Sequence, residues 1–197
     1  MRALIALTHV SIDGVMQAPG GSEEDPSGRF TEGGWTVGYR SEAGGKALGE
    51  IVARDFDLLL GRRTYDIWTG HWPHHVDNPI GAAFARATKY VVTHRDGLSW
   101  GPSQRIDGVD GVRALKATAG PELHLWGSSE VLQPLIGAGL VDEYRLWVYP
   151  VVLGAGKRLF EAGAPASGLE LVESQSTPTG VVLNTYRPAG AIKRPAE

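Results

Sequence analysis

The sequence predicts a three-layer α/β domain whose central sheet begins with parallel strands and ends with antiparallel ones. Short apolar runs alternate with segments of helical periodicity as far as Gly139, and strand-like segments dominate after that residue. Two of the apolar runs end in a glycine that opens the next helix. The chain of 197 residues suits one domain, predicted over residues 1–188 and followed by a tail over 189–197.

The first part of the chain contains four predicted strands, of which the first two are expected to be buried, and five predicted helices. The strands are Ala3–Leu7, Asp57–Leu60, Lys89–Thr93 and Leu123–Trp126. The helices are Glu42–Arg54, Thr64–Trp68, Ile80–Ala87, Val112–Ala119 and Ser129–Ala138. The stretch Asp13–Gly38, rich in glycine, proline and acids, is predicted to be a long loop of the kind that closes over a binding site.

The last part of the chain predicts antiparallel strands. A long strand is expected over Glu143–Leu153, with Pro150 at a sheet edge or a bulge. The segments Leu169–Ser176 and Val181–Arg187 flank a Pro/Gly turn and predict a closing hairpin.

Composition excludes several classes of protein. A net charge of −3 lacks the basic footprint of a nucleic-acid-binding protein, so we expect no nucleic-acid partner. No segment approaches the length of a membrane span or of a signal-peptide core, so we expect a cytoplasmic protein without a membrane partner. The absence of cysteine excludes disulfides, thiolate nucleophiles and the zinc deaminase arrangement.

The two glycine turns are the best candidates for binding phosphate. Gly61 and Gly127 each follow a buried strand and open a helix, whose N-terminus offers unpaired N–H groups and partial positive charge. Arg62, Arg63 and Thr64 add cationic and hydroxyl donors after the first glycine. Ser128 and Ser129, after the second, are also good helix caps without any ligand, and the arginines can equally be solvated. Two such turns in one small sheet favour a dinucleotide.

A third polar segment, Thr93-His94-Arg95, follows another predicted strand. Its hydroxyl and basic groups could hold the 2′-phosphate that distinguishes NADPH from NADH, or could form an ordinary polar loop. His71, His74, His75 and Asp77 lie close in sequence, but the Trp72-Pro73 pair among them favours a packed loop, and no metal site is predicted. Asp13 opens the long loop as either a substrate-facing carboxylate or a turn residue.

At this level the residues resemble a known family. LLLGRRTYDIW resembles the G-R-x-T-[W/Y] signature of dihydrofolate reductases, and THVSIDGVM matches the family's opening strand and loop. The run from Gly127 to Phe160 is specifically similar to the reductase half of riboflavin-biosynthesis deaminase-reductases in its free-standing bacterial form. The resemblance implies a dihydrofolate-reductase-like fold, NADPH as hydride donor and a homodimer.

The resemblance also implies roles for individual residues. Asp13 would lie near the substrate as the leading candidate for a catalytic group. The residues expected to bind the cofactor are Gly61, Arg62, Arg63 and Thr64 at its phosphates, Thr93, His94 and Arg95 at the 2′-phosphate, Gly127, Ser128, Ser129, Glu130 and Val131 near the pyrophosphate and nicotinamide, and Val15, Met16 and Gln17 over the nicotinamide.

The expected activity is the NADPH-dependent reduction of a small heterocycle, with an aminouracil-type reductase of riboflavin biosynthesis, acting on 5-amino-6-(5-phosphoribosylamino)uracil, as the nearest known activity. Folate reductases carry a pterin-binding carboxylate on the first helix, where this chain has Gly44-Gly45-Lys46, with Glu42 only at the helix start. A low-activity dihydrofolate reductase is therefore the first alternative. A non-catalytic nucleotide-binding dimer scaffold is the second.

Overall fold

The computed structural model describes residues 1–193 and contains one eight-stranded sheet. The order of its strands is β4-β3-β2-β5-β1-β6-β8-β7. Pairing is parallel from β4 through β6, and it is antiparallel between β6 and β8 and between β8 and β7. The strands are β1 (Leu4–Ser11), β2 (Phe56–Gly61), β3 (Lys89–Val92), β4 (Ser103–Ile106), β5 (Glu122–Trp126), β6 (Glu143–Tyr149), β7 (Leu169–Ser176) and β8 (Val182–Pro188).

Helices cover both faces of the sheet and complete three layers. They are α1 (Glu42–Val52), α2 (Arg62–Thr69), α3 (Pro79–Arg86), α4 (Gly108–Ala117) and α5 (Ser129–Gly137). Helices α4 and α5 pack on one face, and α1, α2 and α3 pack on the other. The predicted layers, the parallel start and the antiparallel C-terminal hairpin are all confirmed.

Continuous apolar runs form the central strands because both sides of those strands are buried. In β2, Leu59 faces the α4–α5 layer, whereas Leu58 and Leu60 face the layer of α1–α3. All three leucines are fully buried. The sequence of β2 therefore shows no alternation of apolar and polar residues. The strand is predicted instead by the short length of its apolar run and by the glycine that closes it.

One strand is shorter than predicted, and another was not predicted. Strand β6 ends at Tyr149, so Pro150 lies just beyond an interior strand rather than within an edge or bulged one. Proline lacks the N–H that a strand with two neighbours needs, which accounts for the ending. Strand β4 was not predicted, because its sequence SQRI is polar and forms the sheet edge beyond β3.

The loop after β1 is ordered by hydrogen bonds to the rest of the domain. It contains two single turns of 3₁₀ helix, at Ser27–Arg29 and Val37–Tyr39. At the other end of the chain, Gly168 exchanges backbone hydrogen bonds with Ala189 and Gly190, which lie within the predicted tail. The part of that tail over 194–197 lies outside the described residues. Within residues 1–193, no helix combines the length and the apolar character that crossing a bilayer requires.

Candidate active site

A cleft of about 720 Å³ opens at the carboxyl ends of the parallel strands. It is bordered by the last residues of β2, β3 and β5 and by residues 7–9 of β1. Strand β1 pairs with β5 only as far as Leu7 and Trp126, but it stays paired with β6 to Ser11. Strands β1 and β5 therefore separate at the point where open α/β sheets bind ligands.

The turn after β2 is tied to the turn after β5 through one serine. The hydroxyl of Ser128 accepts a hydrogen bond from the Gly61 N–H at 2.9 Å and donates one to the Thr64 hydroxyl at 2.6 Å. A side chain at position 61 would crowd this contact, since an added Cβ would lie 3.0 Å from Val131 and 3.1 Å from the Ser128 hydroxyl. Gly61 is therefore required for the close approach of the two turns.

Both helices that start at the cleft have open N-termini. Among the side chains of residues 1–193, none caps the first turn of α2 or of α5. The chain enters α5 through two consecutive residues in the left-handed region, Gly127 at φ 66° and Ser128 at φ 60°. Free backbone N–H groups at two helix N-termini on one cleft form a suitable binding site for a pyrophosphate.

Three arginines line the outer part of the cleft, and they differ in how firmly they are held. Arg62 donates to Asp66 at 2.7 Å and to the backbone oxygen of Asp96 at 2.7 Å. Arg95 contacts the other oxygen of Asp66 at 3.3 Å, and Arg63 lies 3.5 Å from Asp25. The side chains of Arg63 and Arg95 remain half to two-thirds exposed, so both can turn toward an anionic ligand.

Most of the predicted site residues line this cleft. Those that do are Met16, Gln17, Gly61, Arg62, Arg63, Thr64, Arg95, Gly127, Ser128, Ser129, Glu130 and Val131. Their roles toward a cofactor stay predictions.

Four predicted residues do not line the cleft. Val15 is fully buried and forms a β-bridge with Arg158. The Thr93 hydroxyl accepts from the Arg95 N–H, and the exposed His94 pairs with Asp107 at 3.2 Å. The segment 93–95 therefore brings only Arg95 to the cleft.

Asp13, the fourth, joins the start of the long loop to the segment after β6. Its carboxylate accepts hydrogen bonds from the Ser11 hydroxyl and from the backbone N–H groups of Leu153 and Gly154. The bond from Ser11, supported by these backbone donors, lowers the pKa of Asp13 to about 2. The carboxylate is therefore ionised at neutral pH and satisfied by the protein, a placement that does not favour the proton-donor role expected of Asp13.

The loop that carries Met16 and Gln17 is held across the cleft entrance. The Gln17 amide donates to the backbone oxygens of Asp25 and Ser27, and Trp35 donates to the Gln17 carbonyl at 2.8 Å. Lys157 bonds the Asp25 carboxylate at 2.9 Å. The loop thus forms a folded wall of the cleft.

The inner part of the cleft is mainly aromatic. Trp68 lies parallel to Phe84 at 4.8 Å and contacts Trp72 edge-on at 6.0 Å. Trp126 packs near the same group, and α1 contributes Leu48. Planar walls of this kind suit a flat ring.

His9 lies at the inner end of the cleft and was missed by sequence reasoning. Its Nδ1 is 2.9 Å from the Tyr149 hydroxyl, and its ring contacts Trp147 edge-on at 5.4 Å. Burial lowers the pKa of His9 to about 4, so the imidazole is neutral at pH 7. A single histidine within a strand forms no recognisable sequence motif. Only the structure identifies His9 as a site residue, because it places this residue two positions past the last β1 residue that pairs with β5.

Metal chemistry has no candidate site here, since residues 1–193 contain no group of three or more His, Cys, Asp or Glu side chains placed to hold an ion. The residues do fit a dinucleotide. The uncapped helix N-termini, the narrow approach at Gly61 and the cations at the cleft mouth match the shape and charge of such a ligand.

Known proteins show the same architecture. A candidate riboflavin biosynthesis protein from Shewanella sp. PV-4 superposes with a TM-score of 0.65 at 20% identity, covering 94% of this chain and 98% of that one. Enterococcus faecalis dihydrofolate reductase, in complex with NADP(H) and RAB-propyl, gives 0.62 at 16% identity over 95% and 96%. A pyrimidine reductase-like protein from Corynebacterium diphtheriae gives 0.59 at 13% identity over 95% and 92%. The predicted dihydrofolate-reductase-like fold is confirmed.

Sequence comparison assigns the family. The uncharacterized protein YyaP of Bacillus subtilis (strain 168) is 30% identical over 135 residues, which cover 66% of this chain and 72% of that protein. The family model for the RibD C-terminal domain matches residues 2–183. Since this match spans nearly the whole chain, the protein belongs to the RibD C-terminal domain family.

Proposed function

We propose that the protein is an NADPH-dependent reductase of a small heterocyclic substrate, of the type that acts on an aminouracil ribose phosphate in riboflavin biosynthesis. The observation that carries the proposal is the pair of uncapped helix N-termini, α2 and α5, that face one cleft beside exposed arginines. Family membership and the dihydrofolate-reductase-like fold support the same function.

The outer part of the cleft would hold the phosphates of the cofactor. Backbone N–H groups at the starts of α2 and α5 would bind the pyrophosphate. The guanidinium of Arg95 would bind the 2′-phosphate, for which it would exchange part of its contact with Asp66. Arg63 would strengthen the same half of the site through its positive charge.

The inner part would hold the nicotinamide and the substrate. Alternate residues of a strand present their N–H and C=O to the same neighbour, so the backbone of His9 faces the side that β5 has vacated. The N–H and C=O of His9, the latter also accepting from the Thr8 hydroxyl at 3.3 Å, would complement the carboxamide of a nicotinamide there. Met16 and Gln17 would cover the ring, and NADPH bound in this way supplies the hydride.

The chain's own contribution to the chemistry is orientation and exclusion of water. The aromatic wall formed by Trp68, Trp72 and Phe84 would hold the substrate ring flat beside the nicotinamide. Asp13 is ionised and engaged elsewhere, so the proton that accompanies the hydride would come from water at the cleft mouth.

Reduction of dihydrofolate is disfavoured by the inner part of the cleft. The two carboxylates that the sequence offers to a pterin, Glu42 and Asp13, do not line the cleft, and of the acidic residues that do, Asp66 pairs with Arg62 and Asp25 with Lys157. Helix α1 presents Leu48 there instead. The aminouracil-type reaction is therefore preferred to folate reduction.

Steady-state oxidation of NADPH tests the proposal. We expect turnover with 5-amino-6-(5-phosphoribosylamino)uracil and little turnover with dihydrofolate. Dihydrofolate as the better substrate would favour the folate-reductase alternative. Saturable binding of NADPH without turnover of either compound would favour the non-catalytic scaffold.

We also propose that the protein is a homodimer that associates through β7. All eight residues of this edge strand are exposed, and they include Leu169, Leu171 and Val172. An edge strand with exposed apolar side chains is a ready surface for pairing with another chain. Light scattering after size-exclusion chromatography should give the mass of a dimer, and Leu171→Lys should shift it toward the monomer.

A further inference from the structure

The polar groups of the inner cleft point to a specific residue for recognising the substrate ring. Thr36 lines the cleft, but its hydroxyl donates to the Pro19 carbonyl at 2.7 Å. The Thr8 hydroxyl donates to the His9 carbonyl at 3.3 Å. Apart from the indole N–H groups of the tryptophans in the aromatic wall, the imidazole of His9 is therefore the polar side chain of this half whose hydrogen-bonding capacity is still open, among the residues that the structure describes.

The two nitrogens of His9 have different surroundings. Nδ1 lies beside the Tyr149 hydroxyl, whereas Nε2 forms no hydrogen bond with another described residue. Nε2 is also not among the sealed, unpartnered polar atoms, which are His124 Nδ1 and Trp126 Nε1. Because His9 lines the cleft, its free Nε2 is available to a ligand there.

Tyr149 determines which nitrogen carries the proton. Its side chain is buried, and within residues 1–193 its hydroxyl bonds only His9 Nδ1. If the imidazole donated this bond, the hydroxyl proton would be buried without an acceptor, which is costly. The hydroxyl therefore donates to Nδ1, and the neutral imidazole carries its proton on Nε2. Burial raises the pKa of Tyr149 to about 12, so the hydroxyl keeps its proton.

We propose that the Nε2–H of His9, held in this tautomer by Tyr149, donates a hydrogen bond to the substrate ring and selects rings that present an oxo group or another acceptor there. This inference rests on the proposed function for the ring-binding role of the inner cleft. A ring that presents an amino group at the same place would set two donors against each other. The aromatic walls accept either ring, so His9 makes the distinction.

A matched pair of bicyclic ligands tests this role without turnover. Pteridine-2,4-dione and 2,4-diaminopteridine share one ring system. The dione carries oxo groups at positions 2 and 4 with N–H groups at N1 and N3, whereas the diamine carries amino groups with accepting ring nitrogens. Their dissociation constants can be measured by titration calorimetry without NADPH. We expect the wild type to bind the dione about tenfold more tightly, as one neutral hydrogen bond gained or one donor left unpaired predicts.

Substitutions then assign the preference to His9. His9→Phe keeps an aromatic ring without the donor and should reduce the ratio to about twofold or less. Tyr149→Phe should lower the ratio while His9 stays in place, because the tautomer is no longer determined. His74→Gln, on an exposed histidine outside the cleft, should leave the ratio unchanged.

Folding and cofactor binding are measured separately for each variant. If His9→Phe melts far below the wild type, His9→Gln replaces it, and its amide, which donates and accepts, should also narrow the ratio. Equal affinities in the wild type, a preference for the diamine, or an unchanged ratio in the His9 variant would overturn the inference. Failure of NADPH to bind while the dione preference persists would instead refute the proposed cofactor and leave the role of His9 standing.

Discussion

Removing the Ser128 hydroxyl should destabilise the fold, because this hydroxyl joins the two turns of the cleft. It accepts from the Gly61 N–H and donates to Thr64. Gly61 is buried, so Ser128→Ala leaves a backbone donor without its partner. Two lost hydrogen bonds at about 1 kcal/mol each, with a further penalty for the unpaired donor, predict a loss of about 2–3 kcal/mol of unfolding free energy.

Ser128→Gly separates the hydrogen bonds from the backbone conformation. It removes the same hydroxyl but relieves a non-glycine residue of its φ of 60°. That relief amounts to about 1 kcal/mol, so the glycine variant should lose only about 1–2 kcal/mol. The alanine variant should therefore be the less stable of the two.

Urea unfolding followed by circular dichroism measures both losses, and thermal unfolding should show a decrease of roughly 4–12 °C for Ser128→Ala. Ser99→Ala, at an exposed serine, is the matched control and should stay within about 0.5 kcal/mol of the wild type. A Ser128→Ala variant as stable as this control would show that the two hydrogen bonds do not stabilise the fold. A glycine variant less stable than the alanine one would show that the φ of Ser128 is not strained.

Three further predictions concern charge and pH. Arg95→Ala should weaken NADPH by about 1.5–3 kcal/mol and NADH far less, with the exposed Arg113→Ala as control; equal weakening of both cofactors in a binding titration would contradict the 2′-phosphate assignment. The pKa of Asp13 falls from 3.8 to about 2 on folding, so its contribution to stability is present above about pH 4 and disappears as the pH drops toward 2. In Asp13→Asn the free energy of unfolding in urea should therefore depend less on pH between these values. An unchanged pH dependence in this range would contradict the prediction. The pKa of His9 falls from 6.5 to about 4 on folding, so between these values the unfolded chain binds a proton that the folded chain does not, and stability decreases as the pH falls. His9→Gln should make the slope of unfolding free energy against pH shallower in this range. An identical slope would show that His9 is not buried in the neutral form.

The sequence predicts the layers and the positions of the two glycine turns well because these depend on local signals. Apolar runs closed by glycine mark β2 and β5, and the residues after Gly61 and Gly127 line the cleft as expected. Such signals describe single strands and turns, and they do not indicate which distant segments contact one another. The hydrogen bond from the Gly61 N–H to the Ser128 hydroxyl joins residues 67 positions apart, and no local sequence pattern predicts it.

The substrate side of the cleft is harder to predict for the same reason. His9 becomes part of the site because β5 ends beside it and Tyr149 reaches it from β6, two facts of sheet order. Asp13 shows the converse case. Its place after the first strand suggested a substrate-facing carboxylate, yet the segment after β6 supplies backbone donors at 153 and 154 that engage it.

Tryptophan fluorescence measures whether this cleft binds NADPH. Trp68, Trp72 and Trp126 line the cleft, so a nicotinamide bound there should quench their emission. We expect saturable quenching by NADPH at one site per chain, with weaker binding of NADH. Absence of saturable quenching by either cofactor would contradict this expectation.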